Sequence, residues 1–152
     1  MVTGLDLVEW QLRVAAGEKL PDWSELPRNG HAIEARVYAE DPAKSFVPKP
    51  GPITTLSWLG GQGEVLNETI RIESGVVAGN AVTAFYDPMV AKVVAWGETR
   101  EVATARLAEI LATSTIEPLV TNMNFVRAVL ATPEWAESRY DTKFAETFAK
   151  RK

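Results

Sequence analysis

The chain has no cysteine and a single histidine in 152 residues. Without cysteine there is no disulfide framework, no thiolate nucleophile and no cysteine-ligated metal, which fits a reducing compartment. One imidazole, His31, excludes a multi-histidine metal cluster and gives no ground for a serine–histidine–aspartate order. Basic runs are also missing, apart from the terminal Lys150-Arg151-Lys152, and the formal net charge is −4. No electrostatic footprint for nucleic acid or an anionic membrane surface is present. The opening residues Met1-Val2-Thr3-Gly4-Leu5-Asp6 lack the basic stretch and apolar run of a secretory signal. No glycine-rich phosphate loop is found either. Gly60-Gly61-Gln62-Gly63 has no following Lys-Ser/Thr and no helix opening behind it, so it reads as a hairpin turn.

What remains is the composition of a globular domain, 46% hydrophobic and 24% charged. The length suits one main domain with a core and is too short for two substantial ones. Leu5, Val8, Leu12 and Ala15 recur at helical spacing, with Glu9 and Arg13 on another face and Gly17 as a stop. This predicts an amphipathic helix over residues 5–16. It begins almost at once, so Met1 reads as an internal boundary of a longer protein. Residues 19–29, with Pro21, Pro27 and Asn29-Gly30, read as a linking loop. The expected division is therefore a leading helix and linker at 1–29 and the domain proper at 30–152.

Residues 33–38 alternate, with Ile33, Ala35 and Val37 on one face and Glu34, Arg36 and Tyr38 on the other, as in a half-buried strand. Residues 41–52 hold Pro42, Pro48, Pro50, Gly51 and Pro52 and predict an irregular, rigid loop. Strands are expected at 53–58, 69–73 and 81–85, joined by turns. Residues 89–96 are apolar except for Lys92 and predict a buried central strand. The period then changes. Ala103, Leu107, Ile110 and Leu111 form the stripe of a helix over 99–113, with Arg100, Glu101, Arg106 and Glu109 available to solvent. Asn122 can cap a second helix bearing Phe125, Val126, Val129 and Leu130, limited by Pro133. Strands followed by helices give an α+β fold, a small antiparallel sheet with helices packed on one face. The tryptophans read as packing residues.

Such a fold hosts many functions, so the motifs decide. The run Gly30-His31-Ala32-Ile33-Glu34-Ala35-Arg36-Val37-Tyr38-Ala39-Glu40-Asp41-Pro42 closely resembles the carboxyl-terminal domain of the biotin carboxylase family. In the same order come Val2-Thr3-Gly4-Leu5-Asp6-Leu7-Val8, Phe46-Val47-Pro48-Lys49-Pro50-Gly51, Tyr86-Asp87-Pro88-Met89-Val90-Ala91-Lys92 and Thr121-Asn122. The resemblance implies part of an ATP-grasp ligase of an acyl-CoA carboxylase or a relative such as urea carboxylase. That enzyme activates bicarbonate with ATP and Mg2+ and carboxylates biotin held on a separate carrier domain. It further implies that the nucleotide and bicarbonate residues, and the glutamate base, lie upstream. The fragment alone is then inactive and binds no cofactor by itself. Its expected partners are the upstream ATP-grasp domain, the biotin carboxyl carrier domain and a second copy in a homodimer, with the strand around Arg71 as a contact; nucleic acid and membrane are not expected. The expected compartment is the cytoplasm, with the mitochondrial matrix as the alternative.

The resemblance implies one catalytic residue here, Arg36, whose guanidinium stabilises negative charge on the carboxylated intermediate or on the biotin ureido oxygen. An ion pair with Glu34 on the same strand face is the structural alternative. His31 reads as a loop residue bonded to backbone, Lys92 as a partner of Asp87, and Asn122 as a helix cap. An alternative function is a dimerisation or interaction module without a direct catalytic role. Two departures from the family stand out: Ile116-Glu117-Pro118-Leu119-Val120 replaces a turn that usually holds glycine, and Lys49 stands where a small residue is common.

Overall fold

In a computed structural model, residues 1–22, 24, 26–59 and 65–151 are described. The glycine-rich turn expected at 60–63 lies outside them. Helix α1 (Leu7–Ala15) comes first, followed by strands β1 (His31–Tyr38) and β2 (Glu40–Asp41) and a single 3-10 turn (Pro42–Lys44). Strands β3 (Val47–Pro48), β4 (Gly51–Pro52), β5 (Thr55–Ser57), β6 (Val65–Leu66), β7 (Ile70–Ser74), β8 (Ala81–Val82) and β9 (Met89–Gly97) follow. Helix α2 (Arg100–Thr113), strand β10 (Thr115–Glu117) and helices α3 (Met123–Leu130), α4 (Pro133–Ala136) and α5 (Phe144–Ala149) complete the order.

The main sheet is antiparallel in the order β1-β9-β7-β6. Alternation in β1 works as the sequence predicts: Ile33, Ala35 and Val37 are buried. They stand opposite Ala95, Val93 and Ala91 of β9, and Ile72 of β7 continues the row beyond Val93. This face receives α2 through Ala103, Leu107, Ile110 and Leu111, all buried. Strand β9 is central, as expected, but only one of its faces is sealed. Lys92, Val94 and Trp96 remain half-buried, because the helices cover one side of an antiparallel sheet. Two of the four solvent-side residues expected on α2 fold back instead. Arg106 donates to the Trp96 carbonyl, and the Arg100 guanidinium lies 4.6 Å over the Trp135 ring. Trp58 is fully buried and Trp135 lies against the core, as packing residues.

Two glycines fix close approaches. Gly30 has φ 65, and a Cβ there would stand 2.5 Å from the Gly97 carbonyl oxygen and from the Trp96 ring. A Cβ on Gly97 would stand 2.5 Å from the Ala103 amide nitrogen, so the end of β9 presses directly against the first turn of α2.

Elsewhere the ladders are shorter than the pattern predicts. The strand expected at 53–58 is regular only over Thr55–Ser57, which pairs with β10, while Ile53 and Trp58 are buried at its ends. The strand expected at 81–85 stops at Val82. Its ladder partner is Gly51-Pro52, with Val82 opposite Gly51, so the next pair would involve Pro50, which has no N–H with which to continue pairing. Phe85 and Tyr86 are consequently exposed, at 88% and 85%. The proline-rich loop is rigid in a specific way. Asp41 caps the 3-10 turn by accepting from the Ala43 amide at 3.1 Å, Ser45 and Phe46 adopt left-handed φ values of 55 and 58, and the Phe46 ring meets Phe125 edge-on at 5.0 Å. Lys49 donates its amide to the Ala39 carbonyl at 2.8 Å. The segment lacking the family glycine turns through a cis peptide at Glu117-Pro118.

Candidate functional site

The face of the sheet opposite α2 is open, and alternation fixes what it carries. From β1 come Glu34, Arg36 and Tyr38, from β9 Lys92, Val94 and Trp96, and from β7 Arg71 and Glu73. Register arranges these in rows: Glu34, Val94 and Arg71 stand side by side, and next to them Arg36, Lys92 and Glu73. The two arginines each take the carboxylate on their own strand. Arg71 Nε donates to Glu73 at 2.8 Å, and Arg36 Nε stands 3.4 Å from Glu34 Oε1. The second pair is loose and exposed, 60% on Arg36 and 45% on Glu34, so solvent screens it. The Tyr38 hydroxyl first, and Glu34 second, raise the guanidinium pKa further; Arg36 is a permanent cation with most of its side chain exposed. The ion-pair alternative for Arg36 is therefore present in the structure.

The backbone beneath Arg36 is clamped. Asn122 is the one polar side chain among the described residues that is buried, at 7% exposure. Its Oδ1 accepts from the Tyr38 amide at 3.0 Å, its Nδ2 donates to the Arg36 carbonyl at 3.1 Å, and its own amide donates to the Tyr38 carbonyl at 3.2 Å. These bonds sit where the β1–β9 register shifts between Val37 and Tyr38. The expectation of a helix cap holds for position only. Asn122 is the N-cap residue of α3, its carbonyl accepting from the Val126 amide at 2.9 Å, but its side chain makes no cap bond, and φ −81, ψ 2 lies away from the extended conformation that turns a cap side chain back onto its helix. Beside it, burial pushes the Glu40 carboxyl above its ordinary range; the Asn122 amide opposes this and the Asp87 carboxylate adds to it.

Of the remaining candidates, Lys92 stands beside Arg36 and His31 does not. His31 opens β1 opposite Gly97, at the far end of the strand, and is exposed. Among the described residues Lys92 forms no salt bridge with Asp87, which instead accepts from the Met89 amide at 2.9 Å in a local turn. Asn122 is the residue whose role the sequence reading missed, and its signal was the isolated Thr121-Asn122 match with no acidic or polar partner completing a cap. Among the described residues, no group of three or more His, Cys, Asp or Glu side chains is placed to hold a metal ion.

This geometry can be set beside known proteins. The family described as Biotin carboxylase C-terminal domain matches residues 34–147. The chain is 43% identical over 145 residues to the mitochondrial methylcrotonoyl-CoA carboxylase subunit alpha of Mus musculus, covering 95% of this chain and 20% of that one. It is also 43% identical over 150 residues to the biotin carboxylase of Halalkalibacterium halodurans, covering 98% of this chain and 32% of the relative. Among solved structures, the biotin carboxylase domain of a thermophilic 2-oxoglutarate carboxylase bound to bicarbonate superposes with a TM-score of 0.86 at 32% identity, over 97% of this chain and 32% of that one. The fold and the sheet-face motif define an α+β domain of biotin-dependent carboxylases. This chain belongs to the biotin carboxylase C-terminal domain family, and it spans 20% to 32% of the length of these curated relatives.

Proposed function

We propose that the chain is the part of a biotin carboxylase that closes the active site, with Arg36 presenting its guanidinium to the reacting groups. One observation carries this reading: a loosely paired cation stands on an open sheet face, over backbone held by a buried amide clamp. A guanidinium offers fixed, parallel donors to an oxyanion and keeps its charge at any working pH. Such a group suits negative charge developing on the carboxylated intermediate or on the ureido oxygen of biotin. Biotin supplies the ureido nitrogen that accepts the carboxyl group; Arg36 binds and orients the neighbouring oxygen. ATP, Mg2+, bicarbonate and the base belong in this reading to an upstream ATP-grasp region, and biotin arrives on a carrier domain. The carboxyl acceptor is chosen elsewhere in the assembly. The reading places the protein in the cytoplasm or the mitochondrial matrix, in line with the mitochondrial names of several relatives.

A second reading, an interaction module, rests on the sheet edge. Strand β6 is one of the two outer strands of the main sheet, next to β7 and Arg71, and the related biotin carboxylase domain from Hydrogenobacter thermophilus forms a dimer. Self-association through this edge is compatible with the catalytic reading.

The test is kinetic. The 152-residue chain alone should show no bicarbonate-dependent ATP cleavage and no carboxylation of free biotin. In the intact protein that carries it, Arg36→Ala should lower the carboxylation rate by roughly two to three orders of magnitude, as for loss of one preorganised oxyanion donor, with nucleotide affinity nearly unchanged. Arg36→Lys keeps the charge and loses the fork of donors, so it should recover only part. A wild-type turnover in the alanine variant would refute the assignment.

A further inference from the structure

Asn29-Gly30 closes the linker in front of β1, and neither the core nor the proposed chemistry uses the Asn29 side chain. The chain has five asparagines, at 29, 67, 80, 122 and 124. All but Asn29 are held by their side chains. Asn67 Oδ1 accepts from the Thr69 and Ile70 amides at 2.9 and 2.7 Å, Asn80 Oδ1 from the Val77 amide at 3.1 Å and Asn124 Oδ1 from Arg127 at 3.3 Å. Asn122 is the buried clamp. Asn29 is exposed, and its side chain makes no hydrogen bond among the described residues. It is also the asparagine that precedes a glycine; Glu68, Ala81, Met123 and Phe125 follow the others.

We propose that Asn29-Gly30 is a site of spontaneous covalent modification, at which the asparagine amide is lost and the backbone is rerouted as isoaspartate. The modification goes beyond the biotin carboxylase reading and does not depend on it. The Gly30 amide nitrogen gives up its proton and attacks Asn29 Cγ. A bond from that nitrogen to Cγ forms, the Cγ–Nδ2 bond breaks, and Nδ2 leaves with the proton as ammonia. Water then opens the cyclic succinimide. Breaking the ring nitrogen's bond to Cγ gives aspartate; breaking its bond to the main-chain carbonyl carbon gives isoaspartate, with the chain running through Cγ. Nothing is oxidised or reduced, and water is the only co-reactant. The site favours the attack. Gly30 has no side chain to crowd the ring, and its amide donates no hydrogen bond among the described residues. Charge on the deprotonated amide spreads onto the Asn29 carbonyl oxygen, where Trp96 Nε1 donates at 2.8 Å, a fixed donor to a developing oxyanion. The product disturbs what this residue joins. The Asn29 amide donates to the Val2 carbonyl at 2.9 Å, and Gly30, at φ 65, has no room for a Cβ beside Gly97 and Trp96. Isoaspartate adds one carbon to the main chain here and turns the carbonyl that Trp96 holds into a free carboxylate, so the His31–Gly97 end of the β1–β9 ladder loosens.

The test ages the intact protein carrying this chain for days at neutral pH and physiological temperature, folded and in denaturant, beside Asn29→Gln and Asn29→Asp. Digestion in 18O-labelled water marks any acid formed during handling, and trypsin, cutting after Arg28 and Arg36, isolates residues 29–36. In the folded wild type Asn29 should lose its amide at least about tenfold faster than any other asparagine, a barrier difference of about 1.4 kcal/mol. Labelling by an isoaspartyl methyltransferase should find isoaspartate in the aged wild type, and Asn29→Gln should remove that label. Hydrogen exchange read by mass spectrometry should quicken at the His31 end of β1 and the Gly97 end of β9 in aged wild type. Fresh Asn29→Asp, with the charge on an ordinary backbone, should exchange there as fresh wild type does. If the denatured chain converts at Asn29 and the folded protein does not, or if all five asparagines convert at similar rates, the fold makes no such site and the proposal is overturned. Exchange that quickens equally in fresh Asn29→Asp would overturn the backbone rerouting.

Discussion

Helices α1 and α2 make an instructive pair. The shorter one, Leu7–Ala15, carries the sharper apolar stripe and a well-made start, with Asp6 Oδ1 accepting from the Val8 and Glu9 amides at 3.0 and 2.9 Å. None of its residues is buried, and Leu7, Val8 and Leu12 are 62%, 65% and 69% exposed. Helix α2 is diluted by alanines and has little contrast between its faces, yet it buries Ala103, Leu107, Ile110 and Leu111 against the sheet. Amphipathicity states that a helix needs a cover, and burial depends on whether the cover is at hand. For α2 the cover is β1 and β9. For α1 the described residues provide none, and its stripe remains a demand on another surface.

The comparison breaks most readily in the core. Leu107→Ala should cost about 2–5 kcal/mol, the transfer term plus the cavity left under the sheet. The same truncation at Leu12 should stay within about 0.5 kcal/mol, because the side chain is already in water. Chemical denaturation of both variants, with unchanged slope m, is the measurement. Equal losses would mean that α1 seats on the core in solution.

A smaller effect sharpens the site side of the argument. Asn122→Ala strips partners from the Tyr38 amide and the Arg36 carbonyl, each part-buried. An unsatisfied buried group costs about 1–3 kcal/mol. The diagnostic is local: amide exchange at Tyr38 should accelerate more than exchange in β7. Uniform acceleration across the sheet would reduce the clamp to one more core contact.

These cases also mark how far the sequence carried. Alternation in residues 33–38 and the helical stripe of 103–111 are local periodicities, and they located β1, α2 and the buried face between them. The open face followed from the same alternation, so Arg36 and Glu34 could be set on it before any coordinates. Cross-strand neighbours were not legible, because Lys92 meets Arg36 only through a pairing between strands some fifty residues apart, and nothing local fixes that register. Asn122 was misread for a related reason: a cap and a clamp use the same side-chain atoms, and the choice between them is made by a strand more than 80 residues away. The early end of the strand at 81–85 likewise depends on a register that runs it toward Pro50, a partner that no window around residues 81–85 contains.

The smallest expected effect concerns Glu40, next to the clamp. Its carboxyl pKa is raised by burial, and further by Asp87, against the opposing Asn122 amide. A raised carboxyl pKa means that the folded state binds this proton more tightly than the unfolded chain does, so the ionised form weakens the fold. The penalty is absent below the unfolded pKa and fully present above the folded one; stability at this residue falls as pH rises through the carboxylate range. Asp22, Glu101 and Glu134 have lowered values and act in the opposite sense, so the total pH profile would hide Glu40. The difference between wild type and Glu40→Gln isolates it, since the other groups cancel. Denaturation midpoints at pH 4 and pH 7 should show glutamine gaining on wild type at the higher pH, by less than about 0.5 kcal/mol once solvent screening of a half-exposed group is allowed for. A difference that stays constant between the two pH values, or shrinks toward pH 7, would mean that the Asn122 amide, and not burial, governs this carboxylate.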